Sequence, residues 1–198
     1  MSSINKNINC LVDLTALYDS RKSPKTRKKL DYQKLTSFLS LAAGTHSIED
    51  FGDFRGYTIF SQKNEEQNDF VTNLRKLGWK IETYGQYELE ILDNLGMASS
   101  DYRFNGLVSL EIGSSLNDED PSTIVVVSNS FDLYNVMVTA HEKDDQVEFI
   151  LVYFKDHMDP RWGYALDKSR SFIRFVDLND IYRLPVAASE QDAISPQL

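Results

Sequence analysis

Short apolar runs alternate with capped amphipathic segments along most of this chain, and that alternation narrows its fold more than any other feature. The run from Ile8 to Leu14 is too short for a helix and closes on Asp13. Thr123 to Val127 is the most apolar run, and Val147 to Tyr153 reads as another strand. Runs of this kind, apolar at consecutive positions, are expected of strands buried on both faces of a parallel sheet. Gly56 to Ser61, Trp79 to Tyr84 and Phe172 to Val176 supply three further strand candidates.

Helical segments fall between them. Asp31 is placed to cap a helix through Ala43, in which Leu35, Phe38, Leu39 and Ala42 repeat at spacings of three and four and which Gly44 ends. Asn64 is placed to cap a second, with Phe70, Leu74 and Leu77 as its stripe and Gly78 as its stop. Ser130 precedes a third from Phe131 to about Lys143, and Asp159-Pro160 marks the start of a fourth. In the middle of the chain, Tyr87 to Leu95 reads as helix. Leu107 to Ile112 fits either a strand or a helix, because Val108, Leu110 and Ile112 alternate while Leu107 and Leu110 also suit helical spacing. The sum is an α/β domain with a mainly parallel central sheet and helices on both faces, spanning residues 1–184, followed by a polar tail over 185–198.

Composition limits the function. The 198 residues carry 21 Lys and Arg against 30 Asp and Glu, a net charge of −9, which argues against a protein that coats nucleic acid or anionic membrane with its whole surface. Cys10 is the single cysteine, so no intrachain disulfide and no cysteine-based zinc site is expected, and its apolar neighbours suggest a buried thiol. His46, His141 and His157 lack ligand spacing. No stretch has signal-peptide or membrane-span character, so a cytoplasmic protein without membrane attachment is expected. Neither GxGxxG nor GxxxxGK[ST] occurs, which removes the main support for dinucleotide or P-loop chemistry.

In an open parallel sheet, ligands bind beyond the carboxyl ends of the strands. Asp13 ends the first strand; Ser128, Asn129, Ser130 and Asp132 follow the fourth. Carboxylates converging there suit a hard cation such as Mg²⁺ or Mn²⁺. Each has a plainer reading. Asp13 can simply start a turn, and Asp132 sits in a first helical turn, where the helix dipole favours an acid. Six cations, Arg21, Lys22, Lys25, Arg27, Lys28 and Lys29, follow the Asp13 strand; they suit a solvated loop or a grip on the phosphates of single-stranded RNA, with Tyr18 and Tyr32 placed to stack on bases.

These residues carry a resemblance. Asn9-Cys10-Leu11-Val12-Asp13-Leu14-Thr15-Ala16-Leu17-Tyr18 resembles the opening of NYN domains, the PIN-like ribonuclease group that includes LabA-like proteins. Val125-Val126-Val127-Ser128-Asn129-Ser130-Phe131-Asp132-Leu133 resembles the second signature, an apolar strand followed by Ser-Gly-Asp-x-Asp-Phe. Leu166 to Ile173 resembles the closing helix and strand, and the order of elements agrees over about residues 8–178. The resemblance implies a PIN-like three-layer fold and a Mg²⁺- or Mn²⁺-dependent endoribonuclease. Its acidic set is depleted here. Ala16 stands where the family has Asn, Ser130 where it has the first Asp of the pair, and Asn105-Gly106-Leu107-Val108 where it has Lys-Gly-x-Asp; its late acid falls near Arg170. Asp13 and Asp132 carry over as metal and catalytic candidates, and Glu111 is the nearest acid to complete them. If the resemblance holds, the segment from Leu107 is helical and directs Glu111 toward Asp13. The expected function is RNA binding with weakened or lost metal-dependent cleavage. The alternative is an inactive module that engages a protein partner or a second copy of itself.

Overall fold

A computed structural model describes residues 7–17, 30–60, 65–85, 100–115, 122–169 and 171–183. The expected helix from Tyr87 to Leu95, the basic run with Tyr18, Arg170 and the C-terminal tail lie outside the described residues.

Six parallel strands form one sheet in the order β3-β2-β1-β4-β5-β6. They are β1 (Asn7–Asp13), β2 (Asp53–Phe60), β3 (Lys80–Gly85), β4 (Ser122–Val127), β5 (Glu148–Tyr153) and β6 (Ile173–Asp177). The helices are α1 (Tyr32–Ala43), α2 (Glu65–Lys76), α3 (Ser100–Ser115), α4 (Tyr134–Lys143) and α5 (Trp162–Ser169). This is the expected α/β architecture, and an all-parallel sheet between helical layers agrees with a PIN-like three-layer fold.

The period-2 alternation of each buried strand feeds two separate cores. Cys10, Val12, Val125, Val127, Ile150 and Val152 face α1 and α2, where they meet Leu35, Phe38, Leu39 and Leu74. Leu11, Tyr57, Ile124, Val126, Phe149 and Leu151 face the other way, against Phe104, Val108 and Ile112 of α3, Met137 of α4 and Trp162 of α5. Burial pushes the Cys10 thiol well above its usual range, with the Asp53 carboxylate adding to the shift, so it behaves as a small core residue.

Local chemistry sets the helix ends. The Asp31 carboxylate accepts from the N–H groups of Gln33 (3.0 Å) and Lys34 (3.2 Å), and Gly44 closes α1 at φ 77°. Gly78 does the same after α2 at φ 88°. The segment from Leu107 resolves as helix. Phe104, Val108 and Ile112 recur at a spacing of four and point into the core, while Leu110 is left 70% exposed. Its apparent alternation came from apolar residues on opposite sides of one helix. Among the described residues, no helix is long and apolar enough to cross a membrane.

Candidate functional site at the β1/β4 switch point

The strand order reverses between β1 and β4, which run side by side from the Asn7–Ser122 pair to the Val12–Val127 pair. From β1 the connections lead outward to β2 on one side, and from β4 to β5 on the other. The segments leaving the two strands therefore diverge and open a crevice. A cleft of about 400 Å³ occupies it, lined by Asp13, Ala16, residues 128–132 and residues 157–161.

Asp13 forms its floor at 3% exposure. One carboxylate oxygen accepts the Ala16 N–H at 2.9 Å, capping the helical turn over residues 14–17. The turn that follows β4 is locked by its own side chains. Ser128 Oγ accepts the Ser130 N–H (3.1 Å), Asn129 Oδ1 accepts the Phe154 N–H (3.1 Å), and Ser130 Oγ accepts from Asn105 Nδ2 (3.2 Å). Ser130 stands at the N-cap of the 3₁₀ turn Phe131–Leu133, which runs into α4, yet its hydroxyl makes no capping bond.

Asp132 lies on the rim, its side chain 65% exposed, and it meets Arg161 NH2 at 3.4 Å. Arg161 is held more firmly by Asp159, through Nε (3.1 Å to each oxygen) and NH2 (2.7 Å), and it lies over the Phe131 ring with 4.8 Å to the centroid. The Arg161 side chain, and after it the Arg161 N–H, hold the Asp159 carboxyl below the usual carboxylate range. Among the described residues, the cleft thus carries three carboxylates, on Asp13, Asp132 and Asp159, against one guanidinium.

The structure brings Asp13 and Asp132 to one cleft but does not bring Glu111 there. Glu111 lies on α3, as the resemblance implies, yet its Oε1 accepts from Asn9 Nδ2 at 2.9 Å. Asn9 precedes Asp13 by four residues, roughly 13 Å along a strand. α3 runs back along the sheet, so Asn105 stands beside the cleft and Glu111 lies nearly two turns further from it. Glu111 belongs instead with a network on the β1–β3 face. There Asp53 pairs with Arg55 and with Lys80 Nζ (2.8 Å), and Arg55 NH1 meets Glu82 at 3.3 Å. The Tyr57 hydroxyl in this network is pushed up to about 12, by burial foremost and then by the Glu82 charge.

Tyr32 is partly buried in the packing of α1 and α2, where its ring forms T-shaped pairs with Phe70 and Trp79 at 5.1 and 6.4 Å. The basic residues Arg21, Lys22, Lys25, Arg27, Lys28 and Lys29 lie outside the described residues.

The donor set fits Mg²⁺ or Mn²⁺ poorly. One Asp13 oxygen is committed to a backbone N–H and Asp132 faces a guanidinium. Among the described residues, no three His, Cys, Asp or Glu side chains are grouped to hold an ion. Sequence reasoning missed Asp159 and Arg161 as parts of the site, because Asp159-Pro160-Arg161 reads first as a helix start. The available signal was its position directly after the strand neighbouring β4. No protein-family model matches the chain, and no curated protein or solved structure does.

Proposed function

We propose that this chain is a PIN-like domain that binds single-stranded RNA at the β1/β4 cleft, in the cytoplasm, with metal-dependent endoribonuclease activity weakened or lost. The observation that carries this reading is the Asp132–Arg161 contact. The second acid of the resemblance lies on the same cleft as Asp13, as a nuclease needs, but a guanidinium faces it where a divalent ion would have to approach. The cleft's described residues, three carboxylates and one guanidinium, leave a net negative charge that works against phosphate. Binding therefore calls on further cations besides Arg161, and the six from Arg21 to Lys29 follow the cleft residue Ala16 in the sequence.

The test is an RNA-binding titration with the full chain at low and at moderate salt, beside a cleavage assay with Mg²⁺ and with Mn²⁺. Weak binding is expected, with a salt slope of about −0.7 per phosphate contacted on a single strand. Replacing Lys28 and Lys29 together with Glu should nearly abolish it without unfolding the protein. Cleavage that disappears in Asp13→Asn would restore the full nuclease reading. If the wild type neither binds nor cleaves RNA at low salt, the reading fails and the interaction-module alternative replaces it.

A further inference from the structure

We propose that Arg161 is the residue through which this cleft grips a phosphate group, and that Asp132 acts as its built-in competitor; this rests on the RNA reading above. The guanidinium is positioned before any ligand arrives. Asp159 takes its Nε–NH2 edge through three contacts of 2.7–3.1 Å, and the Asp159 carboxylate also accepts the Arg161 N–H at 2.9 Å. The Phe131 ring supports one face of it. What remains is the NH1–NH2 edge. NH1 has no partner among the described residues, and NH2 meets Asp132 at a long 3.4 Å.

An arginine whose end-on fork is open, and whose rotamer is already fixed, matches two oxygens of a phosphate with little further loss of side-chain freedom. The Arg161 side chain is 57% exposed, so the edge is accessible. It also stands on the wall that carries the start of α4, whose positive dipole end favours an anion. Asp132 is the group that a phosphate must displace. It is held by one long contact from an exposed position, whereas Asp159 is held by four. The two acids flanking Arg161 therefore play different parts. Asp159 positions the guanidinium, and Asp132 competes for it.

The experiment measures anisotropy of a 3′-fluorescein-labelled oligouridylate with a free 5′-hydroxyl, at low salt, with the full chain. Arg161→Met should weaken binding about tenfold, and Arg161→Lys should recover part of it by restoring charge without the fork. Asp132→Asn should tighten binding about two- to fivefold, the range of an exposed ion pair, and should have a smaller effect in the Arg161→Met background, where only the loss of a repelling charge remains. A methylphosphonate oligomer, which lacks the phosphate charge, should not distinguish Arg161→Met from wild type. An oligomer with a 5′-phosphate shows whether a terminal group is preferred to an internal one. If wild type binds and both Arg161→Met and Asp132→Asn bind equally well, this inference is overturned and the RNA reading stands. If Asp132→Asn weakens binding, Asp132 is a ligand contact and not a competitor, which also overturns it. If wild type does not bind, both fall.

Discussion

Two groups of charged side chains lie toward opposite ends of β1, on the same face of the sheet, and they are assembled on different plans. At the amino-terminal end, Asp53, Glu82 and Glu111 are answered by Arg55, Lys80 and the Asn9 amide, and Asp53 is buried with a cation on each carboxylate oxygen. At the carboxyl end, Asp13, Asp132 and Asp159 line an open cleft whose one guanidinium among the described residues meets Asp132 and Asp159. Acid content does not separate the two, since each has three carboxylates. What separates them is topology. The network lies where β2 continues beside β1 and α3 packs across, so its charges must neutralise one another. The cleft lies where β1 and β4 send their chains apart, so an unbalanced charge can be satisfied by a ligand.

The contrast predicts that damage at the two ends will be read by different instruments. Removing Asp53 should be the costliest change. Asp53→Ala removes the carboxylate that Lys80 and Arg55 share and leaves Arg55 with Glu82. Both cations are partly in water, which lowers the penalty from that of a fully buried pair to about 2–3 kcal/mol by urea unfolding. Affinity for RNA, measured on the folded fraction, should not change. A loss of stability below about 0.5 kcal/mol would mean that the network is not structural, and the comparison would collapse.

At the cleft, the order of effects reverses. Asp13→Ala should cost about 1 kcal/mol, because the Ala16 N–H loses its cap, whereas Asp13→Asn keeps an acceptor and should stay within about 0.5 kcal/mol of wild type. Any cleavage should vanish in both, while RNA binding holds or tightens as one carboxylate charge leaves the cleft. If Asp13→Asn is as unstable as Asp13→Ala, the charge rather than the cap holds this turn.

Glu111→Gln sharpens the boundary between the two regions. The amide oxygen still accepts from Asn9 while the charge facing Arg55 is lost, so the change should stay within about 1 kcal/mol. Neither RNA affinity nor any Mn²⁺-dependent cleavage should respond. A loss of cleavage would return Glu111 to the cleft.

Much of the fold was legible because it depends on local signals. Asp31 and Gly44 bracket α1 by capping chemistry that needs no distant partner, and the continuous apolar runs of β1, β4 and β5 mark strands covered on both faces. α3 was ambiguous because Phe104, Leu107, Val108 and Ile112 serve the core while Leu110, on the solvent side, completes a false alternation with Val108 and Ile112. The site was legible only in part. Asp13 and Asp132 could be placed because each follows a recognisable strand. Glu111 was misdirected because the choice depends on where along α3 a residue meets β1, a contact across 102 residues. The Asp53 network was not visible for a similar reason. β2 begins at Asp53, ahead of the strand expected from Gly56, and its partner Lys80 is 27 residues away. Arg161 reached the cleft through the turn after β5, whose geometry no periodicity encodes.

The smallest expected effect isolates the Arg161 clamp itself. Asp50, which is exposed, and Asp159, which is half-buried, are both held below the usual carboxylate range, but by different donors. For Asp50 they are foremost the N–H groups of His46 and Ser47; for Asp159 the Arg161 side chain comes first and its N–H second. In both, the folded form titrates below the unfolded value of about 3.9. Each therefore contributes stability that is present above that pH and is lost as the pH falls through the depressed folded value, a window below about pH 4. Carboxyl ¹³C NMR across that window should show both midpoints low in wild type. In Arg161→Met the Asp159 midpoint should rise partway toward normal, since the backbone N–H remains, while Asp50 stays in place as the internal control. An Asp159 midpoint that does not move would mean that the guanidinium is not held by this carboxylate in solution. The open fork would then lose its fixed position, and with it the physical reason for expecting the cleft to recognise phosphate through Arg161.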